Sequence, residues 1–161
     1  METEFNLDTQ FRTGSCEDIL MSDIVTRIKD YLVDADEYEI DIGTDSQKNG
    51  GVKFVTAIII HKDCKGGIFF YRQVHSKPIP VLHNRILTET SLSINCANQL
   101  LQMFLDNDVL HNITIHCDVG KGGKTKELIR EVVGYVTACG YDCKIKPESI
   151  AASSVADRYT K

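Results

Sequence analysis

The sequence predicts an α/β fold: a five-stranded mixed sheet, three antiparallel strands followed by a βαβα pattern, flanked by helices and preceded by an extra N-terminal helix. Three observations predict it. Residues 38–74 hold three runs rich in Val, Ile and Phe, separated only by short turns, the pattern of an antiparallel meander. Apolar residues then recur at helical spacing over 82–106, as in one long amphipathic helix. Beyond residue 112 a short strand, a helix and another short strand alternate, which is how βα units join a sheet.

Each element has its own signal. Residues 1–14 read as an arm, with Phe5, Leu7 and Phe11, that packs loosely. Ser15 with Asp18 three positions on marks a helix start, and Ile19, Leu20, Ile24, Ile28, Leu32 and Val33 carry helical spacing over 16–34. Strands follow at 38–45 and 52–61, joined through an Asn-Gly hairpin signal at 48–51. After a turn at 62–67 comes a strand at 68–74, and Pro78 and Pro80 end the sheet. The helix over 82–106 leads to a strand at 113–117, a glycine-rich loop at 120–125, a helix at 126–139 and a strand at 141–145. Pro147 breaks that strand, and 153–159 begins a final helix. The 161 residues form one domain on this reading, with an arm and helix over 1–37 and a core over 38–161.

Composition excludes several classes. Hydrophobic residues at 42% and charged residues at 25% are the balance of a globular chain, not of a disordered or fibrous one. The longest apolar stretch, 55–60, falls far short of the roughly 18–20 residues that cross a bilayer. The acidic start METEFNLDTQFR lacks the apolar segment of a signal peptide, so a cytoplasmic location and no membrane partner are expected. Net charge is −5, but residues 1–41 carry 3 basic and 12 acidic groups, while 120–161 carry 8 and 5. The acidic total argues against tight nonspecific phosphate binding and leaves room for a local basic groove. The six cysteines, at 16, 64, 96, 117, 139 and 143, form no spaced pairs of the zinc type and read as buried, reduced thiols.

The most informative residue is Glu89. At 100° per residue, Leu82, Ile86, Leu92, Ser93, Cys96, Ala97, Leu100, Met103 and Phe104 all fall within roughly 80° of it. A glutamate in the middle of an apolar stripe either reaches water at the helix end or faces a site where a cation balances it. Asp45 ends the strand IDIGTD and shares a face with Asp41 and Gly43; it caps the following turn or belongs to a site. Asp118 closes the strand ITIHCD before a glycine-rich loop, where open α/β sheets place ligands, and it equally suits a helix cap. Asp157, in SSVADRYT, carries no signal alone. Four carboxylates gathered from these elements repel one another, and divalent cations that prefer oxygen ligands remove that penalty.

The segments IGTDSQ at 42–47, VTAIII at 55–60, LTETSLS at 87–93, IHCDVGKGGKTKELI at 115–129 and SIAASSVADRYTK at 149–161 occur in this order. With them the chain resembles the ribonuclease H-like superfamily and, within it, the YkuK family of predicted bacterial ribonuclease H-like nucleases. The resemblance covers about residues 38–160. It implies a ribonuclease H-like fold, phosphodiester hydrolysis as a Mg²⁺- or Mn²⁺-dependent nuclease with two ions, and a nucleic-acid substrate (RNA, DNA or a hybrid). It further implies that Asp45, Glu89, Asp118 and Asp157 are the catalytic metal ligands. Two such ions activate a water and stabilise the leaving oxygen. Many ribonucleases H have glycine after the first aspartate, where this chain has Ser46 and Gln47.

The loop DVGKGGKT at 118–125 fails the phosphate-loop pattern, which requires glycine where Asp118 stands. Its backbone amides and Lys121 and Lys124 still suit phosphate, as does a solvated turn. Arg85, one helical turn before Glu89, either pairs with that carboxylate or touches substrate. Ser46, Arg85, Lys121 and Lys124 are therefore the candidate substrate-binding residues. His116 shares a face with Asp118 and reads as a core histidine or a proton shuttle. The competing functional class is a ribonuclease H-like module that binds nucleic acid or protein without cleaving it.

Overall fold

The computed structural model describes residues 1–63, 66–107 and 111–149. In chain order its elements are β1 (Gln10–Thr13), β2 (Asp18–Leu20), α1 (Met21–Leu32), β3 (Tyr38–Lys48), β4 (Val52–Lys62) and β5 (Gly67–Ser76), then α2 (Leu82–Asp106), β6 (Ile113–His116), α3 (Ile129–Ala138) and β7 (Asp142–Lys144). A single 3₁₀ turn, Lys126–Leu128, leads into α3. All the strands lie in one mixed sheet, ordered β2-β1-β5-β4-β3-β6-β7.

The three long strands pair antiparallel over nearly their whole length, from Tyr38 opposite Lys62 to Lys48 opposite Val52, and from Val52 opposite Ser76 to His61 opposite Gly67. The first hairpin turns at Asn49 and Gly50, where Gly50 takes φ +73°, a conformation that costs glycine little. β6 runs parallel to β3, with Ile40 beside Ile113, and β7 runs parallel to β6. Alternation along the strands sets the layers. Ile40, Ile42, Phe54, Ile58 and Ile60 pack with Leu92, Cys96, Leu100 and Phe104 of α2 and with Ile24 and Ile28 of α1. Val55, Ala57, Ile59 and Tyr71 form a separate cluster on the reverse face.

Among the described residues the sheet has seven strands where five were expected; of the two additions, β1 lies in the arm and β2 in the stretch expected to begin the helix. Phe11 is 1% exposed, and β1 pairs with β5 through Arg12–Tyr71 and Thr13–Phe70. The arm is thus an integral edge of the sheet. The helix start expected at Ser15 is a hairpin instead: the Thr13 amide donates to the Glu17 carbonyl at 2.8 Å, and Cys16 occupies φ +63°. Asp18 faces Arg12 across this hairpin, with nitrogen and oxygen 3.6 Å apart. The helix begins only at Met21, and its buried residues Met21, Ile24, Val25 and Ile28 recur at the helical period. Of the described cysteines, Cys96 and Cys117 are buried but Cys16 and Cys139 are exposed. The helix expected at 153–159 lies outside the described residues.

Candidate metal centre

The centre is built where β3, α2 and the end of β6 meet. In β3, Thr44 and Ser46 point to α2. Thr44 Oγ1 lies 2.8 Å from Ser93 Oγ, and Ser46 Oγ donates to Glu89 Oε1 at 2.6 Å. By alternation Asp45 leaves the strand on the other side, and its Oδ1 accepts the Ser46 amide at 2.9 Å.

Glu89 sits in the second turn of α2 and is 6% exposed. Its neighbours Ile86, Thr90, Leu92 and Ser93 are buried with it, so the helix does not carry it out to water. Burial pushes its carboxyl up to about 8. The Ser46 hydrogen bond opposes that shift, the charges of Asp45 and Asp118 add to it, and the Arg85 guanidinium opposes it. The first-strand and fourth-strand carboxylates thus each act through their charge on the helix carboxylate.

Asp118 is half-buried beyond the end of β6. Its Oδ1 accepts from Lys146 Nζ at 2.6 Å. Lys146 is held there because its amide donates to the Val119 carbonyl at 2.9 Å. Gly120 has no side chain at a point where a Cβ would come within 3.0 Å of Lys146 Cβ. The lysine's pKa is raised first by its bond to Asp118 and then by the charges of Asp118, Asp45 and Glu89. The ammonium thus pairs with Asp118 and acts on Asp45 and Glu89 only through its charge.

Arg85 is partly buried and acts on Glu89 through its charge; its Nη1 is buried and makes no hydrogen bond. Lys121 and Lys124 are exposed on the loop after Asp118, which is closed by the Gly120 amide donating to Thr125 Oγ1 at 3.1 Å. Asp157 lies outside the described residues.

Two features escaped the sequence. Lys146 carried no local signal, because its partner is reached only across the β6–β7 pairing. The second is a group of ligating side chains on the β3 face that points away from α2. There Glu39, Asp41 and His116 bring one ligand atom each within 4.8 Å of one another. The alternation of Asp41, Gly43 and Asp45 was visible. The parallel pairing that sets His116 beside Gly43 was not.

Around Glu89 the carboxylates of Asp45 and Asp118 act through their charge, with His116 and Cys117 lining the same cleft; the carboxylates of this set suit a hard divalent cation. Among the described residues, no helix is long and apolar enough to cross a membrane. Over 155 residues the chain is 36% identical to the uncharacterized protein YkuK of Bacillus subtilis (strain 168), covering 86% of this chain and 90% of the relative. No solved structure matches it. The model of the family described as "Ribonuclease H-like" matches residues 21–161, which takes in β3, α2, β6 and every carboxylate of the centre, and the chain belongs to that family.

Proposed function

We propose that this protein is a divalent-metal-dependent nuclease that hydrolyses phosphodiester bonds, with residues 1–37 attached to a ribonuclease H-like core over 38–161. One observation carries the proposal: the Glu89 carboxyl is buried within α2's apolar stripe and held by Ser46, and burial together with the charges of Asp45 and Asp118 pushes its pKa up to about 8. A carboxylate in that state destabilises the fold when it ionises, and a bound cation makes ionisation favourable.

Asp45, Glu89 and Asp118 hold the metal in this reading, with Asp157 as the fourth carboxylate by its place in the family's motif. Two Mg²⁺ or Mn²⁺ ions, when bound there, supply water activation and neutralise charge on the leaving oxygen. The chain's own residues supply the rest. Ser46 orients Glu89 through its 2.6 Å hydrogen bond. Arg85 brings an Nη1 without a hydrogen-bond partner to the same helix turn, and a phosphate oxygen satisfies it. Lys121 and Lys124 add positive charge beside Asp118, where a strand of RNA or DNA passes the loop. Lys146, paired with Asp118 at 2.6 Å, would have to release that carboxylate for it to hold a metal.

A second reading, a binding module that does not cleave, is favoured by the 2.6 Å Lys146–Asp118 pair, which already supplies a cation. A cleavage panel separates the two. It contains RNA–DNA hybrid, single- and double-stranded RNA and DNA, and branched DNA, each with Mg²⁺ or Mn²⁺ and with chelator. Metal-dependent cutting by wild type that is lost in Asp118→Asn establishes the nuclease. Metal-independent retention of the same substrates without cutting establishes the module.

A further inference from the structure

On the reverse face of β3, four residues before Asp45, lie side chains that the proposed nuclease centre does not use. Asp41 and His116 are deeply buried, each side chain 2% exposed, and His116 Nε2 lies 3.2 Å from Asp41 Oδ1. At that separation the two atoms are misaligned for a hydrogen bond. Asp41 Oδ1 and both ring nitrogens of His116 are buried with no hydrogen-bond partner. Native proteins rarely leave such atoms orphaned, and here three of them occur in one pair of side chains. His61 Nε2 stands 3.6 Å from the other oxygen of Asp41. Glu39, two residues back on the same face, completes a set whose ligand atoms lie within 4.8 Å of one another.

We propose that Glu39, Asp41 and His116 form a second metal site, for a divalent transition ion of the zinc class, separate from the carboxylate centre around Glu89. A mixed imidazole and carboxylate set selects borderline ions such as Zn²⁺ and Co²⁺ over Mg²⁺. An ion between Asp41 Oδ1 and His116 Nε2 satisfies two of the three orphaned atoms. Glu39 enters by releasing Lys144, whose Nζ now lies 2.7 Å from Glu39 Oε1; the lysine is partly exposed and swings into solvent. His61 stands beyond Asp41 as a further donor. Burial holds the Asp41 carboxyl above its ordinary range while His116 opposes that shift, so the histidine offsets the burial only in part. Asp41 and Asp45 are four residues apart, about 13 Å along a strand, too far for those two carboxylates to share an ion, while His116 also lines the cleft of Glu89 and Asp118; the double variant below separates the two sites.

The test is Co²⁺ binding to the full chain with thiols kept reduced, read by the cobalt absorption spectrum and by broadening of the histidine side-chain resonances in ¹H–¹⁵N spectra. The Glu89→Gln/Asp118→Asn double variant isolates the second site and keeps this test independent of the nuclease reading. The expected result is one equivalent of Co²⁺ bound by the double variant, with broadening of His116, and at least that equivalent by wild type. Asp41→Asn and Glu39→Gln lower the affinity at least tenfold while Mg²⁺ stabilisation persists. Glu39 is the more exposed position, so its variant serves if Asp41→Asn does not fold. No Co²⁺ bound by the double variant, binding with His116 unbroadened, or an intense sulfur-to-cobalt charge-transfer band overturns the proposal.

Discussion

Ser46 Oγ donates a 2.6 Å hydrogen bond to Glu89 Oε1, joining β3 to α2 where a buried carboxylate interrupts the helix's apolar stripe. The bond favours the charged form of Glu89 against the burial that disfavours it. Ser46→Ala removes that support. The expected outcome is weaker Mn²⁺ binding by roughly tenfold, the scale at which residues that orient metal ligands act, with the fold intact by circular dichroism. Calorimetric titration of both proteins checks it.

Glu89 also makes metal-free stability depend on pH. Its folded-state pKa of about 8 lies above its ordinary value of 4.5. Above 4.5 the unfolded chain gives up this proton while the folded chain keeps it, so the unfolded state binds fewer protons and stability falls with rising pH. The contribution is fully present below about 4.5 and is lost as pH rises through about 8. Glu89→Gln removes it. Urea unfolding in chelator between pH 5 and 8 should show wild type losing a few kcal/mol relative to the variant, and parallel curves would count against the buried acid.

Lys146 balances the carboxylates by its 2.6 Å contact with Asp118, so it competes with any ion that enters. Lys146→Met should tighten Mg²⁺ and Mn²⁺ binding several-fold and leave the chelated protein less stable. Titrations of both ions against wild type and variant decide the matter. Unchanged affinity would mean that the lysine lies outside the ion's position.

The N-terminal arm gives a test of the fold. Phe11 is 1% exposed in β1, and Phe5 lies against it with ring centroids 6.0 Å apart. Phe11→Ala should cost about 3–5 kcal/mol in urea unfolding. An arm that merely frayed would give a change near zero.

These residues also show what sequence could and could not convey. The strands β3, β4 and β5 were legible as long runs rich in Val, Ile and Phe bounded by turns, and α2 and Glu89 were legible because helical geometry converts spacing into direction. β1 and β2 were not. Their hairpin turns through Cys16 at φ +63°, without the Asn-Gly signal that marked the turn after β3. Ser15 and Asp18 imitated a helix start while Asp18 was serving as the cross-strand partner of Arg12. Asp41 and His116 went unpaired in the sequence because a parallel β3–β6 register is a long-range choice, invisible to local pattern.

The most direct measurement of the central claim is thermal unfolding against Mg²⁺ concentration for wild type, Glu89→Gln and Asp118→Asn. Mg²⁺ prefers oxygen donors, so it reports on the carboxylate centre and not on the histidine cluster. An ion that binds only the folded state raises the melting temperature with concentration. The expected result is a saturable rise for wild type that vanishes in both variants. An equal rise in all three proteins, or none in wild type, would contradict a metal centre at Glu89 and Asp118.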